Sequence, residues 1–213
     1  ITVGISTVTD QELAGHGRLL RLIVVGINSF NEGQGGGYNV SSGNGTDAHL
    51  VFQFQNLPFT RNMNTSMTNM GGYAASAMRT WLTGNFLPGL EAAGVPDAVL
   101  WAPARYVANG GNSATAASVL SDKLWLPTER ELFGAQTNSH AAWETAANQA
   151  RLAYYEDAGK RIKYNSHNTA LAYWEASPYF DSAFYFCYVL NSGAAGNYLA
   201  GNDSGVAPAF CVK

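Results

Sequence analysis

Residues 173–213 constrain the fold most. Tyr173-Trp174, Ala183 to Leu190, Asn197 to Ala200 and Val206 to Val212 are short apolar runs. Asn191-Ser192-Gly193 and Asp203-Ser204-Gly205 between them are turn signals. Runs this short and closely spaced predict strands of an antiparallel sheet. Tyr173 to Tyr188 also packs eight aromatics into sixteen residues. Strand alternation puts Phe184 and Phe186 on one face, so if these two face the core, Ala183, Tyr185 and Cys187 face the other side. One small sheet cannot bury eight rings. Some are therefore expected in water, where clustered aromatics mark contact surfaces; a plain aromatic core strand is the alternative.

Upstream, Arg18 to Phe30 and His49 to Gln55 read as strands, and Asn31 to Thr46 as a Gly/Asn/Ser loop. Its Gly35-Gly36-Gly37 lacks the Gly-Lys-Ser/Thr of a phosphate cradle. Ala75, Met78, Arg79 and Leu82 have helical spacing, which predicts a helix over 74–83 stopped by Gly84, then a second over 86–93. Val99 to Val107 is strand-like, with Pro103 setting an edge or bulge. Thr128 with Glu131 forms a capping box, so a short strand at Trp125 should hand over to a helix. The Ala-rich stretch Ala141 to Asp157 predicts a longer helix ended by Gly159. The whole predicts an α+β fold, with short helices beside an irregular antiparallel sheet, in one domain over 1–213.

Composition narrows the function. Only 13% of the 213 residues are charged against 46% hydrophobic, and 12% are aromatic, which excludes disorder as the main state. Net charge is −3 and no Lys/Arg run exists, so a nucleic-acid phosphate track is not expected. No apolar run reaches the length of a membrane span. The chain starts at Ile1 rather than Met, which predicts a processed or cut N-terminus, with any signal or lipid anchor upstream.

Catalytic and metal motifs are missing from the sequence. His16, His49, His140 and His167 are scattered, no Gly-x-Ser-x-Gly elbow occurs, and no loop has a calcium-binding form. No cofactor is expected. Glu129 and Glu131 are read as capping, solvated residues, and Asn202 and Asp203 as turn residues. Cys187 and Cys211 allow one disulfide or none, with Cys187 read as a small buried residue.

Ala176 to Gly205 contains no Lys, Glu, Gln, Met or Trp. What remains is an antibody-like palette of stiff aromatics and small polar residues. It is also the set reached by randomising the first two bases of an asparagine codon ending in C or T. Four sets of residues then carry a family resemblance. They are Met78-Arg79-x-Trp81-Leu82, Trp125-Leu126-Pro127-Thr128-Glu129-x-Glu131-x-Phe133-Gly134, Tyr173-Trp174-x-x-Ser177-Pro178 and Gly205-Val206-Ala207-Pro208-Ala209-Phe210. Together they resemble the ligand-binding variable proteins of diversity-generating retroelements, over most of residues 73–213. Glu175-Ala176 stands where that family commonly has Leu-Arg.

The resemblance implies a C-type lectin fold of the formylglycine-generating-enzyme type, with a variable ligand-binding region at about 173–213. It implies framework roles for Ser177, Pro178, Phe186, Cys187, Val189, Gly193, Ala200 and Gly205 to Phe210. It implies diversified, ligand-binding positions at Ala176, Tyr179, Phe180, Asp181, Ala183, Tyr185, Tyr188, Leu190, Ala194, Asn197, Leu199, Gly201, Asn202 and Asp203. The expected function is a binding module rather than an enzyme, displayed outside the cell or at its surface, with a macromolecular partner expected to be protein. A calcium-independent carbohydrate-binding lectin is the alternative. A third reading, an oxidoreductase like the formylglycine-generating enzymes, would need Cys187 and Cys211 exposed and adjacent.

Overall fold

Among the described residues, fourteen strands and a few short helices make a mixed α+β fold that is mostly sheet. The computed structural model of the chain describes residues 2–4, 19–30, 48–112, 116–145 and 149–213. His16 and the loop expected over 31–46 lie outside them. In chain order the elements are β1 (Thr2–Gly4), β2 (Leu19–Ile27), β3 (Leu50–Phe54), β4 (Phe59–Asn62), α1 (Ala77–Trp81) and α2 (Leu87–Ala92). Then come β5 (Leu100–Trp101), β6 (Arg105–Ala108), β7 (Ala117–Leu120), α3 (Glu129–Phe133), β8 (Lys163–Tyr164) and β9 (Ala170–Leu171). The chain closes on β10 (Tyr173–Pro178), β11 (Tyr185–Val189), β12 (Ala195–Leu199), β13 (Asp203–Val206) and β14 (Ala209–Val212).

Two five-stranded sheets have the orders β1-β2-β3-β14-β5 and β12-β11-β10-β13-β4, and β6–β7 and β8–β9 are separate hairpins. The C-terminal run joins the two sheets, since β13 lies in one and β14 in the other. The crossing at Ala207-Pro208 is fixed by Gln53, whose Nε2 donates to the Ala207 carbonyl at 2.6 Å. Trp125 is tied to Ala209 by two main-chain bonds of 2.9 and 2.7 Å. One hydrophobic cluster, including Phe54, Phe86, Trp125, Trp174, Phe186 and Phe210, draws on both sheets. Gly205 sits where β13 runs parallel to β10. A Cβ there would lie 2.5 Å from Leu57 and 2.8 Å from the Ala172 carbonyl, so only glycine fits.

The capping box forms as its spacing predicts. Thr128 Oγ1 accepts from the Glu131 N–H, Glu131 Oε2 accepts from the Thr128 N–H at 2.6 Å, and Gly134 ends α3 with φ 76°. Glu131 is buried, however, not solvated, because its carboxylate also takes a two-point bond from buried Arg105, at 2.5 and 3.1 Å.

Four expectations are corrected. Gly84 does not stop the first helix: the backbone passes through it in a π turn, Leu82–Phe86, straight into α2. The strand expected over 99–107 splits at Pro103 into β5 and β6, which join different sheets. The helix expected over 141–157 does not form as one element. Residues 141–143 are turns, Ala153–Glu156 and Ala158–Arg161 are 3-10 turns, and 146–148 lie outside the described residues. Tertiary bonds override alanine's propensity here. Gln149 bonds Thr128 Oγ1 and the Tyr106 carbonyl, and Tyr155 donates its hydroxyl to Gln53 in the core. Gly159, expected as a helix end, lies inside the second 3-10 turn. Finally, Asp203-Ser204-Gly205 is not a turn but the start of β13.

Candidate functional site

The sheet that ends on β12 carries a cluster of rings in water. Phe184 is 55% exposed, Phe180 44% and Tyr198 37%, with Tyr179, Tyr185 and Tyr188 half-buried beside them. Tyr179 meets Phe180 and Tyr185 with ring centroids 5.2 and 6.1 Å apart. Tyr188 stacks on Tyr198 at 5.5 Å and 11°, and both tilt against buried Trp174 at 6.2 and 6.0 Å. Phe180 and Tyr198 therefore lean on better-buried rings and lose little rotamer freedom on contact. Met67, 45% exposed, borders Gly201, and Met70, 60% exposed, borders Gly111.

The backbone beneath these side chains is clamped. Buried Asn69 spends its whole amide on it. Nδ2 donates to the carbonyls of Ser182 and Tyr185 at 2.7 Å and of Tyr179 at 3.3 Å, while Oδ1 accepts from the Gly111 N–H at 2.8 Å. Its own N–H donates to the Ala183 carbonyl at 2.7 Å. Buried Glu129 works from the other side: its carboxylate accepts the N–H groups of Thr137, Asn138 and Ser139 at 2.8 to 2.9 Å. The loop so ordered receives the Phe180 N–H on the Asn138 carbonyl at 2.9 Å. Ser177 completes the joint, accepting the Glu129 N–H at 2.8 Å and donating to Glu144 at 2.6 Å. Every one of these bonds to the 179–185 segment goes to main chain. The side chains of Tyr179, Phe180, Asp181, Ala183 and Tyr185 anchor nothing by hydrogen bond. Replacing such side chains leaves the backbone's own bonds intact.

Behind the surface lies a patch of buried acid. Both Glu175 oxygens lack partners, as does one of Glu144. Burial, then the neighbouring carboxylates, push Glu175 well above the carboxylate range. Burial raises Glu144 to about 8 against the bond from Ser177. Cys187 and Cys211 are free thiols, both buried, with burial pushing both up. They sit on β11 and β14 in different sheets, so the exposed adjacent pair that an oxidoreductase reading requires does not form. Among the described residues no His/Cys/Asp/Glu group could hold a metal ion. No helix among them is long and apolar enough to cross a membrane. An open groove of about 380 Å³ runs beside α3, and no ring of the exposed cluster lines it.

Thirteen of the fourteen positions marked as varied reach the surface in whole or part. Phe180, Asp181, Ala194 and Asp203 are exposed, and Tyr179, Ala183, Tyr185, Tyr188, Leu190, Asn197, Leu199, Gly201 and Asn202 are half-buried. Ala176 is the correction. It is fully buried on the central strand β10, its N–H donating to the Pro127 carbonyl at 2.8 Å, so it cannot contact a ligand. The framework positions Ser177, Pro178, Phe186, Cys187, Val189, Gly193, Ala200 and Gly205 to Phe210 are all buried. The alternation expected from Ala183 onward is also corrected: Phe184 faces water and Cys187 faces the core. The reason is that 183–184 are a turn and the strand begins only at Tyr185.

Sequence reasoning missed Asn69, Met67, Met70 and Tyr198, and assigned Glu129 to solvent when it is the buried anchor of a loop. No local signal marks Asn69, because its acceptors lie 110 to 116 positions away.

Residues 46–213 match the family described as Domain of unknown function (DUF6273). The chain belongs to this family. The DUF6273 span takes in Asn69, Glu129 and the whole ring cluster, and leaves out β1 and β2. No curated protein and no solved structure matches the chain.

Proposed function

We propose that residues 179–203, without a cofactor, form a diversified recognition surface for a protein partner. The scaffold is read as a C-type lectin fold of the formylglycine-generating-enzyme type, and the protein as a binding module displayed at the cell surface rather than an enzyme. One observation carries the reading. Thirteen of the fourteen positions that the family resemblance marks as varied reach the surface, those it marks as framework are buried, and bonds from Asn69 and Glu129 to main chain hold the 179–185 segment and the 137–139 loop beneath it. Rings set on a rigid backbone supply contact area at small entropic loss, as in antibody paratopes. Asn197 and Asn202 add adaptable polar contacts.

Sibling copies of this gene in the same genome give the test. Differences confined to the thirteen outward positions are expected. Differences spread evenly into Trp174, Ser177, Phe186 and Val189 would overturn the reading. The stacked pair Tyr188–Tyr198 also offers the flat aromatic face that sugar rings pack against. A glycan array separates the two readings: protein recognition predicts no bound glycan, and a sugar whose binding is lost in Tyr198→Ala would favour the lectin.

A further inference from the structure

Among the described residues no strand pairs with the outer edge of β12, and the chemistry of that edge says what fits there. The ladder to β11 is fixed at both ends. The Leu190 N–H donates to the Ala194 carbonyl at 2.8 Å, and the Ala200 N–H to the Phe184 carbonyl at 2.9 Å. The register between them is unbroken, from Val189↔Ala195 to Tyr185↔Leu199. Antiparallel alternation then turns the main-chain groups of Gly196 and Tyr198 toward β11 and those of Ala195, Asn197 and Leu199 outward. Among the described residues, the Leu199 carbonyl is the one outward group with a partner, the Asn202 N–H at 3.0 Å.

Edges of this kind are normally shortened, charged or bulged to prevent pairing. The other edges of the two sheets are so treated: β4 carries Arg61, β1 has three residues and β5 two. β12 has five residues, Ala-Gly-Asn-Tyr-Leu, with no charge, proline or bulge. No charged side chain occurs anywhere from 182 to 202.

We propose that β12 receives an extended segment of the protein partner as an added strand. A row of alternating N–H and C=O groups is complemented by another peptide backbone. A phosphate would meet the outward carbonyls as repulsion. Tyr198 on one face and Asn197 and Leu199 on the other would read alternate side chains of the added strand, so an uncharged segment of apolar and small polar residues fits best. The inference deepens the recognition-surface reading and rests on it for the location of the partner.

The test selects random dodecapeptides displayed on phage against the full chain, then resynthesises the binders with N-methyl groups at odd or at even residues. Strand addition predicts that one N-methyl series weakens binding at least about tenfold and the other leaves it unchanged. Asn197→Pro removes an outward N–H and no ladder bond. It should weaken binding as much with an unchanged melting temperature, while Asn197→Ala, which keeps the N–H and loses only a side-chain contact, weakens it less than Asn197→Pro does. If Asn197→Pro misfolds, the N-methyl series decides alone. Equal tolerance of both series, or failure to select any peptide, overturns the proposal. So does a wild-type dimer in light scattering that Asn197→Pro dissolves, because a second copy would then occupy the edge. Peptides that lose binding with one N-methyl series but bind a Tyr179→Ala, Tyr185→Ala, Tyr188→Ala variant undiminished would sink the recognition-surface reading and keep the edge.

Discussion

β10 and β12 lie two strands apart in one sheet and are built by opposite rules. All six residues of β10 are buried; none of the five in β12 is. On β10 the side chains hold the structure. The Trp174 indole N–H donates to the Arg61 carbonyl at 2.7 Å, the Tyr173 hydroxyl to the Arg161 carbonyl at 2.9 Å, and Ser177 links Glu129 to Glu144. On β12 the main-chain ladder to β11 holds the structure, and Tyr198 rests on rings rather than on polar partners. Ladder bonds do not depend on side-chain identity. A sheet clamped at one strand can therefore leave another free to change sequence.

The contrast can be broken first at its rigid end. Trp174→Ala empties a fully buried indole site and orphans a carbonyl, and should destabilise the protein by about 3–5 kcal/mol in urea denaturation. A loss near that of an exposed ring would remove the distinction between the strands. Asn69→Ala comes next. It strands three loop carbonyls and should cost about 2–4 kcal/mol, with amide exchange accelerated selectively over 179–185. Uniform acceleration across the sheet would show that Asn69 supports the core instead of the loop.

Glu175 sharpens the comparison from inside β10. The resemblance puts Leu there commonly, and Glu175→Leu should stabilise the fold by about 1–3 kcal/mol at pH 7 by removing an unpartnered buried carboxyl. The pH dependence has a definite sign. With its folded pKa raised, Glu175 keeps its proton in the native state while the unfolded chain loses one above about 4.5. The native state then binds more protons, so wild-type stability falls as pH rises through that value. Glu144, raised to about 8, adds a fall in the same direction between about 4.5 and 8. The gain from Glu175→Leu should accordingly be larger at pH 8 than at pH 4, and a gain that shrinks with pH would contradict the assignment. The smallest effect belongs to the exposed rings: Phe184→Ser and Tyr198→Asn should each move stability by no more than about 0.5 kcal/mol.

What could be read from the sequence was what is local. The Thr128–Glu131 box was legible because both partners lie within one turn, and β11 and β12 because the Asn191-Ser192-Gly193 turn separates them, whereas the turn read at Asp203-Ser204-Gly205 is strand. Glu129 was misassigned because the N–H groups that donate to it lie in a loop eight to ten residues on, past the helix end. Phe184 was misassigned because alternation was counted from Ala183, whereas Asn69 holds that residue in a turn and delays the strand to Tyr185. The outward positions were anticipated by family resemblance, and Ala176 failed because nothing local shows that β10 is covered on both faces.

The most direct test needs no ligand. Saturation mutagenesis over 173–206, read by protease resistance of the displayed protein, reports how many side chains each position accepts. The account predicts broad acceptance at Tyr179, Phe180, Asp181, Ala183, Phe184, Tyr185, Asn197 and Tyr198, and rejection at Trp174, Ser177, Phe186, Val189 and Gly205. Equal intolerance in both groups would contradict it, because the rings would then be part of what holds the fold together.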